Sequence, residues 1–265
     1  MSGLGAELAL AVAAAEEAGE ILLGHYRARD RLTVASKRAG DFVSEADVAA
    51  ETHLRGRLLG AFPGDGWLGE ETGAGASGVA DCGRRWVVDP LDGTTNFLRG
   101  IGHWCVSVGL EVGGQPVLGV VHDPLRGETF AAMPGGGVML NGRAVGFAGT
   151  VDMAGALFGT GVPFGGMAHI EDHAADIARL MPHCAGVRRM GAAALDLAYV
   201  AAGRLDGFWE RRLQRWDIAA GLALLAAAGV RVEGLAVGED PWATGTVVTA
   251  VPALFDRFAG LLRDG

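Results

Sequence analysis

The stretch 86–97, WVVDPLDGTTNF, places two carboxylates directly after an apolar run and follows them with a glycine and two threonines. The run WVV is typical of a buried strand, and we expect that strand to end in a sharp turn at Pro90 and Leu91. Asp89 and Asp92, on either side of this turn, can then point to one side of the chain. The two acids repel each other unless protons or cations lie between them.

Further acids follow other predicted elements. Glu70 and Glu71 end the short apolar segment WLGEE, Glu210 ends the predicted strand LDGFWE, and Asp217 opens the predicted helix WDIAAG. The ends of strands are where a rigid scaffold places functional groups. Each acid alone is explained by an ordinary loop or helix start, but together they predict one acidic site.

One more acid lies at the start of the helix that follows DFVSEAD. Ser44 can cap this helix, and Asp47 completes the S-x-x-D pattern of a capping box. We therefore expect Asp47 in the first helical turn. Oxygen ligands without His or Cys are the donors that Mg²⁺ prefers, so the acids predict a magnesium site.

Gly93, Thr94 and Thr95 predict a phosphate-binding site beside these acids. Glycine lets the backbone approach a ligand closely, and a short helix beginning at Thr94 would direct free N–H groups at an anion. Metal ligands next to a phosphate-binding site indicate phosphoryl transfer to water, in which two cations about 3.5–4 Å apart stabilise the attacking and leaving oxygens.

The order of the predicted elements changes near the middle of the chain. Residues 1–147 read as helices followed by a meander of strands, HWCVSVGLEV, PVLGVVHDP and GETFAAM. Residues 148–265 alternate between strands and helices. We expect an α/β protein whose N-terminal domain, 1–147, has an antiparallel sheet and carries most metal ligands. The C-terminal α/β domain, 148–265, would carry substrate-binding residues and the last metal ligand.

Charge and composition argue against several kinds of protein. The 265 residues carry a net charge of −9 with a pI near 5.2, so the basic surface that binds nucleic acid is not expected. No stretch reaches the roughly 20 apolar residues of a membrane span, and the N-terminal stretch carries acids rather than the basic start of a signal peptide. We expect a cytoplasmic protein with a small-molecule partner and neither a nucleic-acid nor a membrane partner.

Four motifs together resemble those of the inositol monophosphatases, within the Mg²⁺-dependent, lithium-sensitive phosphatase superfamily. In the family's order and with similar spacing they are DFVSEAD (41–47), GEET (69–72), WVVDPLDGTTNF (86–97) and WDIAAG (216–221). The resemblance covers essentially the whole chain. It implies a layered αβαβα sandwich that assembles as a homodimer and hydrolyses inositol monophosphates to inositol and phosphate.

The resemblance also implies a set of metal ligands. Glu70, Asp89 and the Leu91 carbonyl would hold one ion, and Asp89, Asp92 and Asp217 would hold a second. A third, weaker ion would lie near Glu70, which gives two to three Mg²⁺ ions in the site. Glu70 therefore counts among the implied catalytic residues.

Other matching residues are implied to bind substrate or orient water. Gly93 and Thr94 look like phosphate-binding amides, and the Thr94 hydroxyl, backed by Asp47, looks like the group that orients the metal-activated water. Glu210 resembles the residue that grips the hydroxyls of the inositol ring, and Ala193 matches a position that lines that pocket. The metal ligands Asp92 and Asp217 are implied to contact the substrate as well.

Two departures from the family's pattern bear on the substrate. Arg99 and Gly102 stand where members commonly carry a His and a Pro, and Arg215 stands where many bacterial members carry a proline. Neither departure falls on an implied metal ligand, so hydrolysis is still expected. The departures leave open which alcohol forms the rest of the substrate. Fructose 1,6-bisphosphate, histidinol phosphate and 3'-phosphoadenosine phosphate stay alternative substrates, although TTNF and Glu210 favour the inositol type.

Three other interpretations fit the sequence less well. A haloacid-dehalogenase-type phosphatase needs acids two positions apart and a downstream lysine, whereas Asp89 and Asp92 are three apart and no lysine follows them. A non-catalytic scaffold has no use for a cluster of repelling acids. His169 and His173 lie one helical turn apart, but Ile170 stands where a zinc protease carries Glu, so we expect a solvated helix face rather than a zinc site.

Overall fold

The computed structural model of the chain describes residues 3–38, 41–74, 83–147, 152–162 and 170–263. These ranges contain the helices α1 Gly5–Arg27, α2 Glu45–Ala61, α3 Thr94–Arg99, α4 Ile170–Leu180, α5 Ala193–Ala201, α6 Arg215–Ala228, α7 Pro241–Thr244 and α8 Pro252–Arg263.

The strands of the same ranges form a hairpin and two larger sheets. They are β1 Val34–Arg38, β2 Asp41–Ser44, β3 Gly66–Gly69, β4 Gly73–Ala74, β5 Arg84–Asp92, β6 Cys105–Val112, β7 Gln115–Asp123, β8 Glu128–Ala132, β9 Val138–Leu140, β10 Arg143–Val145, β11 Leu157–Thr160, β12 Gly186–Arg188, β13 Gly207–Glu210, β14 Arg231–Glu233 and β15 Val247–Ala250.

The larger sheet has eight strands in the order β10-β9-β8-β7-β6-β5-β3-β4. All neighbours from β10 to β5 are antiparallel, which confirms the meander expected from the sequence. β3 and β5 are parallel, so the antiparallel arrangement does not extend to this pair. The reason is that β4 turns back along β3 before β5 begins.

The smaller sheet belongs to the second half of the chain and has the order β12-β11-β13-β15-β14. β11 runs parallel to β12 and β13, because a helix crosses over between each pair. β15 is antiparallel to both of its neighbours. The strands and helices predicted for this half are confirmed, and α7 is a short helix that the sequence pattern did not indicate.

The helices and sheets stack in five layers. Trp86 and Val88 on β5 share a core with α1 and α2, whereas Val87 between them shares a core with α5 and α6. This division follows from the alternation of side chains along a strand. Phe208 on β13 joins the core of α5 and α6, while Trp209 joins that of α4 and α8. The layered αβαβα sandwich is therefore confirmed.

α1 shows why the first layer packs as it does. Its buried positions Ala11, Ala14, Ala15, Ala18 and Leu22 repeat at helical spacing along one face. Small side chains let the helix lie close to its neighbours, so α1 packs against both α2 and β7.

The proposed division into domains 1–147 and 148–265 stays a prediction. The larger sheet ends at Val145 and the smaller begins at Leu157, and residues 148–151 between them lie outside the described ranges. In the part of the chain that the structure describes, no helix combines the length and the apolar character needed to cross a membrane.

Candidate active site

The parallel pair β3 and β5 delivers two acids to the same edge of the larger sheet. Gly69 lies opposite Val88 in the register, and the Glu70 N–H donates to the Val88 carbonyl at 3.1 Å. Glu70 therefore stands beside Asp89, the residue after Val88. An antiparallel pair would have sent these two acids to opposite ends of the sheet.

The segment DPLD forms a β-bulge within β5 instead of the sharp Pro-Leu turn expected at its end. Asp89 pairs with Ser107 and Asp92 pairs with Cys105, so three steps along β5 match two along β6. The expectation is wrong because pairing with β6 continues through Asp92. The extra residue of a bulge offsets the alternation of side chains, which brings two acids three positions apart to one side.

Thr94 begins α3, as predicted from the sequence. Gly93 before it has a φ of +92°, and a Cβ there would lie 3.0 Å from the His103 carbonyl oxygen, so glycine is required on both counts. The Thr94 hydroxyl lies 3.2 Å from Asp47 Oδ1 and 3.0 Å from the Leu91 carbonyl oxygen. Asp47 and the bulge therefore meet at this hydroxyl.

Asp47 uses its two oxygens for different partners. Oδ2 accepts the backbone N–H and the hydroxyl of Ser44, at 2.9 and 2.6 Å, and so completes the predicted capping box of α2. Oδ1 faces Thr94. Burial raises the pKa of Asp47, and hydrogen bonds from Ser44 oppose that rise. The helix cap thus fixes the carboxylate that the site uses.

A second capping box holds Asp217 at the start of α6. Gln214 caps this helix, and Asp217 Oδ2 accepts the Gln214 N–H at 2.7 Å. Asp217 therefore does stabilise a helix start, which is the ordinary structural explanation for an acid at this position. Asp217 also lines a cavity with residues from both halves of the chain, so the cap and the site share this residue as well.

This cavity, which we call the acidic cavity, has a volume of about 90 Å³ and is lined in part by Asp92, Ala193, Asp196, Glu210 and Asp217. Four of these five residues, all except Asp196, are predicted substrate contacts, and two of them, Ala193 and Glu210, are expected to contact the alcohol part. Ala193 is the first residue of α5, and this helix start forms part of the cavity wall. The acidic cavity therefore brings together residues that are up to 125 positions apart (217 − 92) in the sequence.

The acids of the bulge act on one another through their charges. Asp89 is only 2% exposed, and burial, followed by the charges of Glu70, Asp92 and Asp217, raises its pKa well above the ordinary value. These four predicted metal ligands therefore share one small region. Such repulsion makes the site costly unless protons or cations enter it.

The acids of the cavity are affected in the same way. Burial raises the pKa of Asp92 to about 7, while the hydrogen bond from the Ala194 amide lowers it. Burial and then the charges of Asp217 and Asp196 raise the pKa of Glu210 well above its ordinary value. Perturbed acids that line a cavity are a common property of functional sites.

The proposed metal ligands are all oxygen donors, the kind that Mg²⁺ prefers. Within the described residues, no three His, Cys, Asp or Glu side chains are already arranged around a metal position. Three of the acids instead accept a nearby amide N–H: Asp89 from Leu91 at 3.0 Å, Asp92 from Ala194 at 2.7 Å and Asp217 from Gln214 at 2.7 Å. The donors nevertheless fit Mg²⁺, because they are hard oxygens whose mutual repulsion a divalent cation would relieve.

Glu51 is a residue of the site region that the sequence analysis missed. It lies one helical turn after Asp47 on α2 and is 1% exposed. Its carboxylate accepts the N–H groups of Glu71 at 2.8 Å and of Thr72 at 3.0 Å, and so holds the turn that presents Glu70. The available signal was the spacing of Asp47 and Glu51, which places both on one helix face.

Arg189 is a second residue that sequence reasoning missed. Among the described residues it is the one cationic side chain that lines the acidic cavity. Burial raises the pKa of Asp196 and of Glu210, and the charge of Arg189 opposes both rises. It precedes the turn at Gly191, and its Nη1 would lie 2.7 Å from a Cβ added there. Nothing in the local pattern VRRM distinguishes it from a surface arginine.

One of the two histidines of the HIEDH motif, His173, lies in the part of the chain that the structure describes. The His173 ring stacks on Trp209 with ring centroids 5.9 Å apart, which places it in the packing between α4 and the smaller sheet. His169 lies outside the described residues. His173 is only 4% exposed, so the solvated helix face expected for this motif is wrong at His173, because the ring packs on Trp209 instead.

Comparison with known proteins assigns the whole architecture to one group. Residues 6–264 match the model of the inositol monophosphatase family. The chain is 45% identical over 237 residues to the inositol-1-monophosphatase of Mesorhizobium japonicum, with 89% of this chain and 88% of that protein covered. It is 37% identical to Nus factor SuhB of Escherichia coli, with 97% and 96% covered.

Solved structures give the same result. The extragenic suppressor protein suhB from Bartonella henselae superposes with a TM-score of 0.94 at 36% identity and covers 98% of this chain and 100% of its own. The inositol monophosphatase from Anabaena superposes with a TM-score of 0.84 at 32% identity, with 98% and 96% covered. The similarity extends through both sheets.

Proposed function

Because the chain belongs to the inositol monophosphatase family, we propose that it is a Mg²⁺-dependent phosphomonoesterase that hydrolyses inositol monophosphates. The observation that carries this proposal is the convergence of Glu70, Asp89, Asp92 and Asp217. Asp89 is buried beside the other three, and burial, followed by their charges, raises its pKa. These acids come from three separate sequence motifs. A cluster of that kind has an evident use only where cations and a phosphate are bound.

The proposed metal ligands are those that the sequence indicated. Glu70, Asp89 and the Leu91 carbonyl would hold one Mg²⁺, Asp89, Asp92 and Asp217 a second, and a third would lie near Glu70. When bound, Mg²⁺ supplies positive charge that stabilises the phosphate group and lowers the pKa of a water in the site. The Leu91 carbonyl lies in the bulge between the two acids, and its oxygen is also 3.0 Å from the Thr94 hydroxyl.

The chain's own contribution to the reaction is orientation. The Thr94 hydroxyl can donate a hydrogen bond to Asp47 Oδ1, 3.2 Å away. The hydroxyl oxygen is then oriented to accept a hydrogen bond from water. We propose that this pair directs the attacking water at phosphorus. The amides of Gly93 and Thr94 would hold the phosphate oxygens, and Glu70 would complete the catalytic group.

The acidic cavity would take the alcohol part of the substrate. Glu210 and Ala193 line it together with Asp92 and Asp217, and carboxylates are good acceptors for the hydroxyl groups of a polyol. Removal of Glu210 by the change Glu210→Ala should therefore weaken hydrolysis of inositol 1-phosphate and leave hydrolysis of an aryl phosphate nearly unchanged. An equal loss on both substrates would contradict the proposed role of Glu210.

The function is tested by assaying purified protein on a panel of phosphate esters with and without Mg²⁺, and with added Li⁺. We expect Mg²⁺-dependent release of phosphate from inositol monophosphates, with inhibition by Li⁺ and weaker activity on other small sugar phosphates. Inorganic phosphate release from none of the esters would refute the enzyme proposal. A clear preference for histidinol phosphate or 3'-phosphoadenosine phosphate would refute the inositol assignment alone.

A bisphosphorylated sugar such as fructose 1,6-bisphosphate is the second candidate substrate, and Arg189 is the observation that favours it. A guanidinium beside a cavity lined by four acids is suited to a second phosphate, which it can bind through two parallel hydrogen bonds. Arg189→Ala should then reduce kcat/KM for the bisphosphate more than for inositol 1-phosphate. Equal effects on the two substrates would remove this candidate.

A non-catalytic role is the third candidate, since several relatives carry the name Nus factor SuhB. The retained acids favour catalysis, because a scaffold gains nothing from their repulsion. We also propose a cytoplasmic homodimer that acts on a small phosphate ester without a nucleic-acid or membrane partner. Light scattering coupled to gel filtration tests the dimer, and titration with RNA or DNA fragments tests the absence of nucleic-acid binding.

A further inference from the structure

Buried hydrogen bonds connect the two segments that meet at the acidic cavity. Residues 92–103 come from the first half of the chain and residues 190–196 from the second. His103 Nε2 and Asp196 Oδ1 lie 2.9 Å apart, and these side chains are 7% and 1% exposed. Asp196 also lines the cavity, so the pair lies directly behind its wall.

Asn96 and Asp92 add two more connections. The Asn96 side-chain amide donates to the carbonyls of His103 at 2.7 Å and of Met190 at 2.8 Å. Asp92 Oδ2 accepts the Ala194 N–H at 2.7 Å. We call these bonds, together with the His103–Asp196 pair, the bridging network. Every crossing bond joins residues 92–103, which include the proposed metal ligand Asp92, to residues 190–196, which include the start of α5 at Ala193.

The His103–Asp196 pair is poorly explained by stability alone. A buried polar pair loses hydration on both sides, and well-packed apolar side chains of similar volume are often equally stable in its place. What a polar pair adds is a fixed relative position, because its hydrogen bond has a narrow range of distance and direction. The His103 ring also packs edge to face on Tyr199, with centroids 5.7 Å apart, so its orientation is fixed from both sides.

We propose that the His103–Asp196 pair is a positioning pair that sets the distance between the phosphate-facing loop and the polyol-facing turn, and so determines selectivity for the alcohol part of the substrate. This inference rests on the proposed function. Neither side chain is assigned to the reacting atoms. The pair acts through Ala193 on one side of the cavity and through Asp92 on the other.

The test compares two substrates in variants that break the pair. His103→Phe keeps a ring of similar size without the hydrogen bond, and Asp196→Ala removes the acceptor. We expect kcat/KM for inositol 1-phosphate to fall by about 10-fold or more relative to that for p-nitrophenyl phosphate, mainly through KM, since small displacements of positioning groups have effects of this size. The double variant should be no worse than either single variant, because both remove the same bond.

Asp196→Asn provides the conservative rescue. Its side-chain oxygen can still accept a hydrogen bond from His103, so this variant should keep a substrate ratio near that of the wild type. His122→Phe is the matched control. His122 is also 7% exposed and hydrogen-bonded, to Thr129 at 3.0 Å, but it lies on β7 away from the cavity. It should lower the melting temperature and leave the substrate ratio unchanged.

An unchanged ratio in His103→Phe and Asp196→Ala, with losses of melting temperature like that of His122→Phe, would overturn the proposal. Hydrogen exchange of the peptide that contains residues 190–196 provides a readout that needs no activity. We expect faster exchange there when the pair is broken, and unchanged exchange would again overturn the proposal. If the wild type hydrolyses no phosphate ester, the proposed function fails, and hydrogen exchange alone decides whether the pair positions the segment.

Discussion

Asp92 and Asp217 each accept a hydrogen bond from a backbone amide, and each also supplies a negative charge to the proposed Mg²⁺ site. An asparagine at either position keeps an oxygen that can accept the amide N–H of Ala194 or Gln214, but it removes the negative charge that Mg²⁺ requires. Asp92→Asn and Asp217→Asn should therefore fold normally and lower kcat by about 100-fold or more. The measurement is phosphate release at saturating inositol 1-phosphate and Mg²⁺.

Asp256→Asn is a suitable control for these variants. The Asp256 side chain is 87% exposed and pairs with Arg231 on the far side of the smaller sheet, so its loss should leave kcat unchanged. Full activity of Asp92→Asn or Asp217→Asn at the Mg²⁺ concentration of the wild type would show that the metal assignment is wrong.

Glu51 acts one layer behind the acids. Removing its carboxylate removes the hydrogen bonds from the half-buried Glu71 N–H and the exposed Thr72 N–H, each of which contributes about 0.5–1.5 kcal/mol. Glu51→Ala should therefore destabilise the protein, and it should raise the Mg²⁺ concentration needed for half-maximal activity because the turn around Glu70 loosens. Urea unfolding and a Mg²⁺ titration of activity measure the two effects.

Glu17→Gln separates these effects for Glu51. Glu17 makes hydrogen bonds to His53 and Arg57 that connect α1 with α2, so its loss perturbs the same helix without touching the turn. We expect no change in the Mg²⁺ requirement of this variant. If Glu51→Ala also leaves that requirement unchanged, Glu51 stabilises the fold only.

At the level of elements, the capping box of α2 connects helix stability to the site. Ser44→Ala removes the hydroxyl that accepts the Ala46 N–H at 3.2 Å and lies 2.6 Å from Asp47. The loss of such a cap costs about 1 kcal/mol. Because Asp47 also faces Thr94, we expect kcat to fall together with the free energy of unfolding.

The cap of α7 offers a matched comparison. Asp240 accepts the Trp242 N–H at 2.9 Å, and no predicted site residue lies on that helix. Asp240→Ala should cost a similar free energy of unfolding with no change in kcat. If Ser44→Ala behaves in the same way as Asp240→Ala, the cap of α2 has no part in catalysis.

Some of these elements could be predicted from the sequence because their signals are local. S-x-x-D gave the start of α2, and glycine followed by threonine gave the start of α3. The bulge in β5 could not be predicted, because it depends on the register with β6, which is set by residues far along the chain. The parallel pairing of β3 with β5 depends likewise on the return of β4.

At the scale of the whole molecule, the acidic cavity exists only because two halves of the chain pack together. The sequence identified Glu210 and Asp217 by their places at element ends, and the structure sets them beside Asp92. Arg189 and the His103–Asp196 pair carried no local signal, since an arginine after a strand and a histidine in a loop are common. Residues of this kind become visible only when the distances between halves are known.

Mg²⁺ should stabilise the whole fold as well as permit catalysis. In the metal-free protein, Asp89 is buried among Glu70, Asp92 and Asp217, and a bound cation relieves this repulsion only in the folded state. A ligand at 100 times its Kd adds about 2.7 kcal/mol to the free energy of unfolding. The melting temperature should therefore rise when millimolar Mg²⁺ replaces a chelator.

Asp217→Asn should reduce this rise, because it removes a ligand and part of the repulsion. The control variant Asp256→Asn, prepared free of divalent metal, should show the same rise in melting temperature on addition of Mg²⁺ as the wild type. An identical melting temperature with and without Mg²⁺ in the wild type would contradict metal binding at these acids.

Acid stability provides a last prediction, away from the site. Although burial opposes it, hydrogen bonds from Arg231 and Arg263 lower the pKa of Glu233 from 4.5 to about 2. Arg263 is on α8 and Glu233 on the edge strand β14, so this pairing fastens the C-terminal helix to the smaller sheet. A lowered pKa means that the unfolded state binds a proton more tightly than the folded state. The contribution of Glu233 is therefore complete above pH 4.5 and disappears as the pH falls toward 2.

Glu233→Gln should consequently have a lower free energy of unfolding than the wild type at neutral pH. The difference should shrink steadily as the pH is lowered from about 4.5 toward 2, because the wild type then loses the same charge. Urea unfolding at a series of pH values measures this difference. Glu20→Gln, a change at an exposed position of α1, should show no comparable pH-dependent difference. A gap between Glu233→Gln and the wild type that stays constant down to the lowest pH would show that Glu233 stabilises the protein through packing and not through its charge.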